Sequence, residues 1–360
     1  MDENKSALRV GPGSIIPEPP SDLIARVSNR RQTFSRLQYV DGILQGQRAV
    51  LARAITLIES SRAEDRELAD QIVEDCLPHG GKSIRVGITG VPGAGKSSLI
   101  EELGKYLIDQ HQQKVAVLAI DPSSQLSGGS ILGDRTRMTS LASSEMAFIR
   151  PTPSRRYAGG VAQRTREAML LCEAAGYQNI LIETVGVGQS ETAVHDMVDF
   201  FLLISLAGAG DELQGIKRGV MELADVVAIN KADGTNLQAA QRARSEAENA
   251  LHYFPRMPSG WTPRALTCSA LSGKGVAELW SCILEHDLLT RTNGWLDLNR
   301  REQTRAWMDE IIQHELRQRF ESHAAVRERM EGLDREVLEG RATSFRAARV
   351  LLDIYDGRQP

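Results

Sequence analysis

Between Ser21 and Pro78 apolar residues recur at helical spacing: Val50, Ala54, Leu57 and Ile58, then Leu68, Ile72, Val73, Cys76 and Leu77. Pro78 and the pair Gly80-Gly81 end that run. The period then changes. Short β-branched runs at 84–90 (IRVGITG), 115–121 (VAVLAID), 146–150, 179–184 (NILIET), 200–206 (FFLLISL), 225–230 (DVVAIN) and 264–269 predict strands. Helical stretches predicted at 96–110, 133–144, 160–176, 211–224, 236–252 and 274–286 separate most of them. Continuous apolar strands alternating with helices predict an α/β fold with a mostly parallel sheet covered on both faces. Beyond about Arg291 the strands cease: Trp307, Ile311, Leu316 and Phe320 mark one amphipathic helix, and Met330, Leu333 and Val337 mark another. Such a segment is a cap on the core or a dimerisation arm, and its narrow apolar stripe favours the arm.

Residues 1–20, with Gly11, Pro12, Gly13, Pro17, Pro19 and Pro20, read as a flexible arm. The expected division is this arm, an N-terminal helical extension over 21–82, an α/β domain over 83–290 and a C-terminal helical arm over 291–360.

The 360 residues are 41% hydrophobic and 25% charged, enough to bury a real core. With 43 Lys+Arg against 47 Asp+Glu, the net charge of −4 gives no footprint for nucleic acid or an anionic membrane. Cys76, Cys172, Cys268 and Cys282 are scattered without CxxC spacing, as for reduced thiols, and the seven histidines supply no zinc-ligand cluster. No apolar leader follows the opening Met-Asp-Glu-Asn, and the apolar stretch from Phe200 to Ala209 is too short to span a bilayer. The expected location is the cytoplasm.

Gly90, Val91, Pro92, Gly93, Ala94, Gly95, Lys96 and Ser97 match GxxxxGK[ST], between a predicted strand and a helix that opens on Lys96 and continues through Ser98. Glycines there let successive backbone N–H groups converge on phosphate oxygens, and the helix N-terminus adds positive potential. Lys96 is placed to reach the β- and γ-phosphates and Ser97 to ligate Mg²⁺. Asn230, Lys231 and Asp233 follow the strand DVVAIN, and the Asp233 carboxylate can accept both N1–H and the exocyclic amino group of guanine, a pair adenine lacks. Ser269, Ala270 and Leu271 fall where a second base-contacting loop is expected. The nucleotide is therefore GTP, with GDP as product.

Glu183 ends the strand NILIET, the place for a holder of Mg²⁺ or its water, and Gly186 follows it. Asp121 and Asp134 are further metal or γ-phosphate candidates, each with a helix cap as its alternative. Gln189 is a candidate to orient water or, equally, to cap a helix. Between 209 and 219 the chain places Asp211, Glu212, Gln214, Lys217 and Arg218 among glycines; an exposed amphipathic helix start would explain the charges alone, but the position after a central strand favours a mobile switch read by a partner protein.

The segments GITGVPGAGKSS, DPSS with GGSILGDRTRM, ETVGVGQSE, AGDELQGIKRG and NKAD, in this order, closely resemble the MeaB/MMAA-type (ArgK-like) G-protein chaperones of adenosylcobalamin-dependent acyl-CoA mutases, from about residue 45 to 320. The resemblance implies a homodimeric P-loop GTPase of the signal-recognition-particle/MinD-like (SIMIBI) class. Its domain would span 83–290, with an N-terminal helical extension and a C-terminal dimerisation arm. It also implies docking on a mutase, gating of adenosylcobalamin loading by GTP, protection or reactivation of the mutase, a cobalamin adenosyltransferase as candidate further partner, and an added switch over Asp211 to Lys217. On this reading Lys96, Asp121 and Glu183 are catalytic, with Asp121 organising the attacking water, and the metal set is Ser97, Asp121, Asp134 and Glu183. The chain departs from the family at Arg156 and Ala158, in the loop Thr152–Gly160, and at Arg135; these positions bear on which mutase is served. Two rivals are a nickel- or cobalt-insertion GTPase, which usually carries Cys/His clusters absent here, and a kinase of amino-acid transport, which needs a protein acceptor.

Overall fold

The computed structural model describes residues 34–60, 62–121, 138–153, 158–184, 190–207 and 218–358. Ser35 opens α1 (Arg36–Leu44): its hydroxyl accepts from Gln38 N–H while the Gln38 side chain accepts from Ser35 N–H, a reciprocal cap. Helices α2 (Arg48–Ile58) and α3 (Ala63–Cys76) follow, and a short 3₁₀ turn at Leu77–His79 delivers the chain to the sheet.

Seven strands then alternate with helices: β1 Ile84–Gly90, α4 Lys96–His111, β2 Val115–Asp121, α5 Thr139–Ser143, β3 Ala147–Pro153, α6 Ala158–Ala174, β4 Asn179–Thr184, α7 Ser190–His195, β5 Phe200–Leu206, α8 Arg218–Glu222, β6 Val226–Asn230, α9 Leu237–Leu251, β7 Arg264–Thr267 and α10 Val276–Thr292. The spatial order is β3-β2-β4-β1-β5-β6-β7, and every pairing is parallel. This is the α/β fold expected from continuous apolar runs: β4 and β6 are buried along their whole length, as a sheet covered on both faces requires.

Strand β3 runs three residues beyond its predicted end and takes in Pro151 and Pro153. It lies at the sheet edge, where a missing N–H has no outer neighbour to disappoint. Helix α7 was not anticipated from sequence. The C-terminal segment holds three helices instead of the two expected: α11 Trp295–Ser322, α12 Ala324–Leu338 and α13 Ser344–Tyr355, the last capped by the Thr343 hydroxyl. The remainders of the predicted helices 133–144 and 211–224, and the arm over 1–20, lie outside the described residues.

Because all strands run the same way, Gly90, Asp121, Thr184, Leu206, Asn230 and Thr267 end on one edge of the sheet. The connection leaving β1 runs to one side, toward β2, and that leaving its neighbour β5 runs to the other, toward β6, so the winding direction reverses between β1 and β5. In open parallel sheets a ligand crevice forms at such a reversal, outside the C-terminal strand ends.

Candidate nucleotide site

The turn between β1 and α4 is shaped by close approach. A Cβ on Gly90 (φ 151°) would sit 2.2 Å from Ile204 O, and one on Gly95 (φ 85°) would sit 2.7 Å from the Asn230 amide nitrogen. Only glycine fits either place, which explains two of the three glycines in the motif. Val91 and Ala94 are buried, whereas Pro92, Gly93 and Ser98 are exposed.

Lys96 is buried, and its ammonium donates to Gly90 O (2.8 Å) and Val91 O (3.2 Å), so the side chain curls back over the loop. Burial lowers its pKa, and the carboxylates of Glu183 and Glu191 oppose that shift. Ser97 Oγ donates to Glu183 Oε1 at 2.8 Å, joining the first turn of α4 to the tip of β4. The next residue of β4, Thr184, shares a hydroxyl–hydroxyl bond of 2.9 Å with Thr89 of β1. Asp121 ends β2 beside these strands.

The other half of the site lies past β5. Asn230 Nδ2 donates to Ala94 O (2.7 Å), while Asn230 Oδ1 accepts from Ala270 N–H (3.1 Å) and the Cys268 thiol (3.7 Å). One side chain thus ties the phosphate loop to the loop after β7. Ser269 Oγ donates to Asp233 Oδ2 and accepts from Ser272 N–H (3.2 Å), which fixes the Asp233 carboxylate. Lys231 takes a left-handed backbone (φ 58°), and Leu271 is 90% exposed.

The structure therefore brings together Lys96, Ser97 and Glu183 at one end and Asn230, Asp233, Ser269 and Ala270 at the other, with Asp121 at the same sheet edge. Gly186, Gln189, Asp134, Arg135, Arg156, Asp211, Glu212, Gln214 and Lys217 lie outside the described residues. Sequence reasoning missed the Thr89–Thr184 pair and the thiol of Cys268; neither residue type carries a motif signal of its own. Ser97 and Glu183 present the hard oxygen donors that Mg²⁺ takes, and Mg²⁺ at phosphate sites needs only one or two protein ligands. The site fits that ion without a dedicated cage, and the described residues hold no group of three or more His, Cys, Asp or Glu able to bind a metal.

A parallel sheet with GxxxxGK[ST] after its central strand and an Asn-Lys-x-Asp motif two strands away has the architecture of a P-loop GTPase. Residues 51–325 match the family described as "Methylmalonyl Co-A mutase-associated GTPase MeaB", and the chain belongs to that family. It is 49% identical to the Escherichia coli protein named "GTPase ArgK" over 275 residues, which are 75% of this chain and 83% of that one. It is 44% identical to the mouse "Methylmalonic aciduria type A homolog, mitochondrial" over 342 residues, 92% of this chain and 82% of that one. A crystal structure titled "LAO/AO transport system kinase" superposes with a TM-score of 0.72 at 38% identity, covering 89% of this chain and 97% of the other.

Proposed function

We propose that this GTPase docks on an adenosylcobalamin-dependent acyl-CoA mutase, methylmalonyl-CoA mutase or a close relative, and uses GTP binding and hydrolysis to gate cofactor loading and to protect or reactivate the mutase. The observation that carries the reading is the family match across residues 51–325, a family described as mutase-associated. The 44% identity to a protein named for methylmalonic aciduria supports it.

In this reading the phosphate-loop N–H groups and Lys96 bind the β- and γ-phosphates, and Asp233 reads guanine with Ser269, Ala270 and Leu271 around the base. Ser97 and Glu183 hold Mg²⁺, with Asp121 beside them to order the attacking water; Asp134 is a further ligand. The bound ion supplies positive charge against the phosphates, lowering the cost of charge build-up on the leaving group. Lys96 is held by two carbonyls, and in this reading its ammonium exchanges Gly90 O and Val91 O for phosphate oxygens when the nucleotide binds. Segment 211–217, with Asp211, Glu212, Gln214 and Lys217, acts as a switch sensed by the mutase. Residues 291–360 act as a homodimerisation arm, and the protein works in the cytoplasm, with an adenosyltransferase as a further partner. Within the described residues no helix is long and apolar enough to cross a membrane.

The decisive experiment is copurification with purified cobalamin mutases, with and without a non-hydrolysable GTP analogue; nucleotide-dependent capture of one mutase is expected, and failure with every member of the class sinks the proposal. Lys96→Ala is expected to abolish GTP turnover. The name of the structural neighbour at 38% identity suggests a second reading, a transport kinase. γ-Labelled GTP separates the two: phosphate released to solution supports the chaperone, and phosphate on a protein acceptor supports the kinase.

A further inference from the structure

Cys268 stands between the last strand and the base loop, and it grips the Asn-Lys-x-Asp turn at three points. Its N–H donates to Ile229 O (2.9 Å), its carbonyl accepts from Ala232 N–H (2.9 Å), and its thiol donates to Asn230 Oδ1 (3.7 Å). The first two bonds belong to the backbone and survive any substitution except proline. Only the third depends on the side chain.

That third bond falls on the atom that decides which way the Asn230 amide points. With Oδ1 toward Ala270 N–H and the thiol, Nδ2 faces Ala94 O, and all three contacts pair donor with acceptor. Flipped, the amide would set its NH₂ against the Ala270 N–H and its carbonyl against Ala94 O, and the thiol would lose its acceptor. We infer that Cys268 is a positioning residue for nucleotide retention: its thiol helps hold the Asn230 amide in the one orientation that joins the phosphate loop to the base loop. Cys268 is 2% exposed, and burial pushes its pKa up to about 12, so the group stays a protonated donor. A space-filling role alone would be met equally by any apolar side chain of that size, whereas this role requires a donor.

The inference rests on reading Asn230–Asp233 as the guanine loop, and the test separates the two. Cys268→Val fills the volume without a donor, and Cys268→Ser restores a donor. The full-length chain is loaded with a fluorescent GDP, and its release rate is followed after a chase. The melting temperature of the nucleotide-free chain is measured alongside as the readout of packing. Losing a buried hydrogen bond of this kind predicts release about two- to tenfold faster for Cys268→Val, with Cys268→Ser within about twofold of the parent. Equal release from the Val and Ser variants, whether both fast or both unchanged, overturns the role. Should Cys268→Val fail to fold, Cys268→Ala takes its place against the same Ser control. Separately, Asp233→Asn exchanges an acceptor for a donor and should trade guanine preference for xanthine; if it does not, the guanine reading fails whatever Cys268 does.

Discussion

The helices before the sheet and those after it are both additions to one α/β core, but different forces hold them. Helices α1–α3 place Ile43, Leu51, Ile55, Ile58, Ile72 and Cys76 in the same apolar cluster as the strands. Helix α11 is 28 residues long and buries only Leu296, while α12 and α13 close a separate small cluster around Val326, Leu333, Ala347 and Leu351. What fastens α11 is largely polar. Arg300 donates to both oxygens of Asp199 (2.8 and 2.6 Å) and to Gly81 O (2.6 Å) and Ser83 O (2.7 Å), and Gln303 donates to Val198 O (2.8 Å). Farther along, Arg166 of α6 pairs with Glu310 (2.6 Å) and lies 5.9 Å from the Trp307 ring centre. Apolar burial is spread over area and tolerates local loss, whereas a charge-based anchor concentrates its contribution in a few atoms.

The largest effect should follow from removing that anchor. The Asp199 side chain is buried and accepts also from Arg85 N–H (2.9 Å), and the Arg300 guanidinium helps hold its carboxyl below the usual range against the cost of burial. Arg300→Met strands this carboxylate, and the loss of one partner of a buried pair costs about 3–5 kcal/mol. Denaturant unfolding of the full chain measures it; a loss below about 1 kcal/mol would mean that apolar contacts hold α11 after all.

Next come two truncations of like chemistry in unlike places. Leu51→Ala in the shared core should cost about 2–5 kcal/mol of global stability. Leu333→Ala should loosen α12 and α13 and leave the main thermal transition in place, because the hairpin has a core of its own. Amide hydrogen exchange reads this directly: protection lost in 324–355 alone supports the contrast, and protection lost across β1–β6 erases it.

Much of the sheet and site was legible because their chemistry is contiguous in sequence. β1, β2, β4 and β5 have the predicted bounds, since a strand buried on both faces writes an unbroken apolar run. Lys96, Ser97, Asn230 and Asp233 announce themselves through spacing, and their strand ends then meet on one edge. Relationships between distant residues stayed hidden: Arg300 is one arginine in a charge-rich helix, and nothing local says that its partner is Asp199. Helix α13 carries Phe345, Leu351, Leu352 and Tyr355, but dense charge between them obscured the stripe. Helix α7 is only six residues long and begins directly after a glycine-rich segment, too little text for a period to show.

The smallest of the expected effects tests the joint where the two additions meet. A cavity of about 110 Å³ is lined by Ile58 of α2, Arg66, Ala69 and Asp70 of α3, Gln163, Arg164 and Glu167 of α6, and His314 and Glu315 of α11. Burial pushes the Glu167 pKa up to about 7, aided by Asp70 and opposed by the Gln163 amide (3.0 Å), Arg164 and Arg66. Because the folded pKa lies above the unfolded value near 4.5, folding takes up a proton between those two values. Stability from this group is therefore full below about pH 4.5, is lost as pH rises through about 7, and stays lost above. Glu167→Gln keeps the neutral, hydrogen-bonding form at every pH, so at pH 8 the variant should exceed the parent by about 2 kcal/mol and at pH 4 match it. Asp225, also raised to about 7 by burial, is common to both proteins and cancels in the difference. Parallel stability curves for parent and variant from pH 4 to 8 would show that Glu167 ionises freely, and that α3, α6 and α11 meet around water and not around a buried acid.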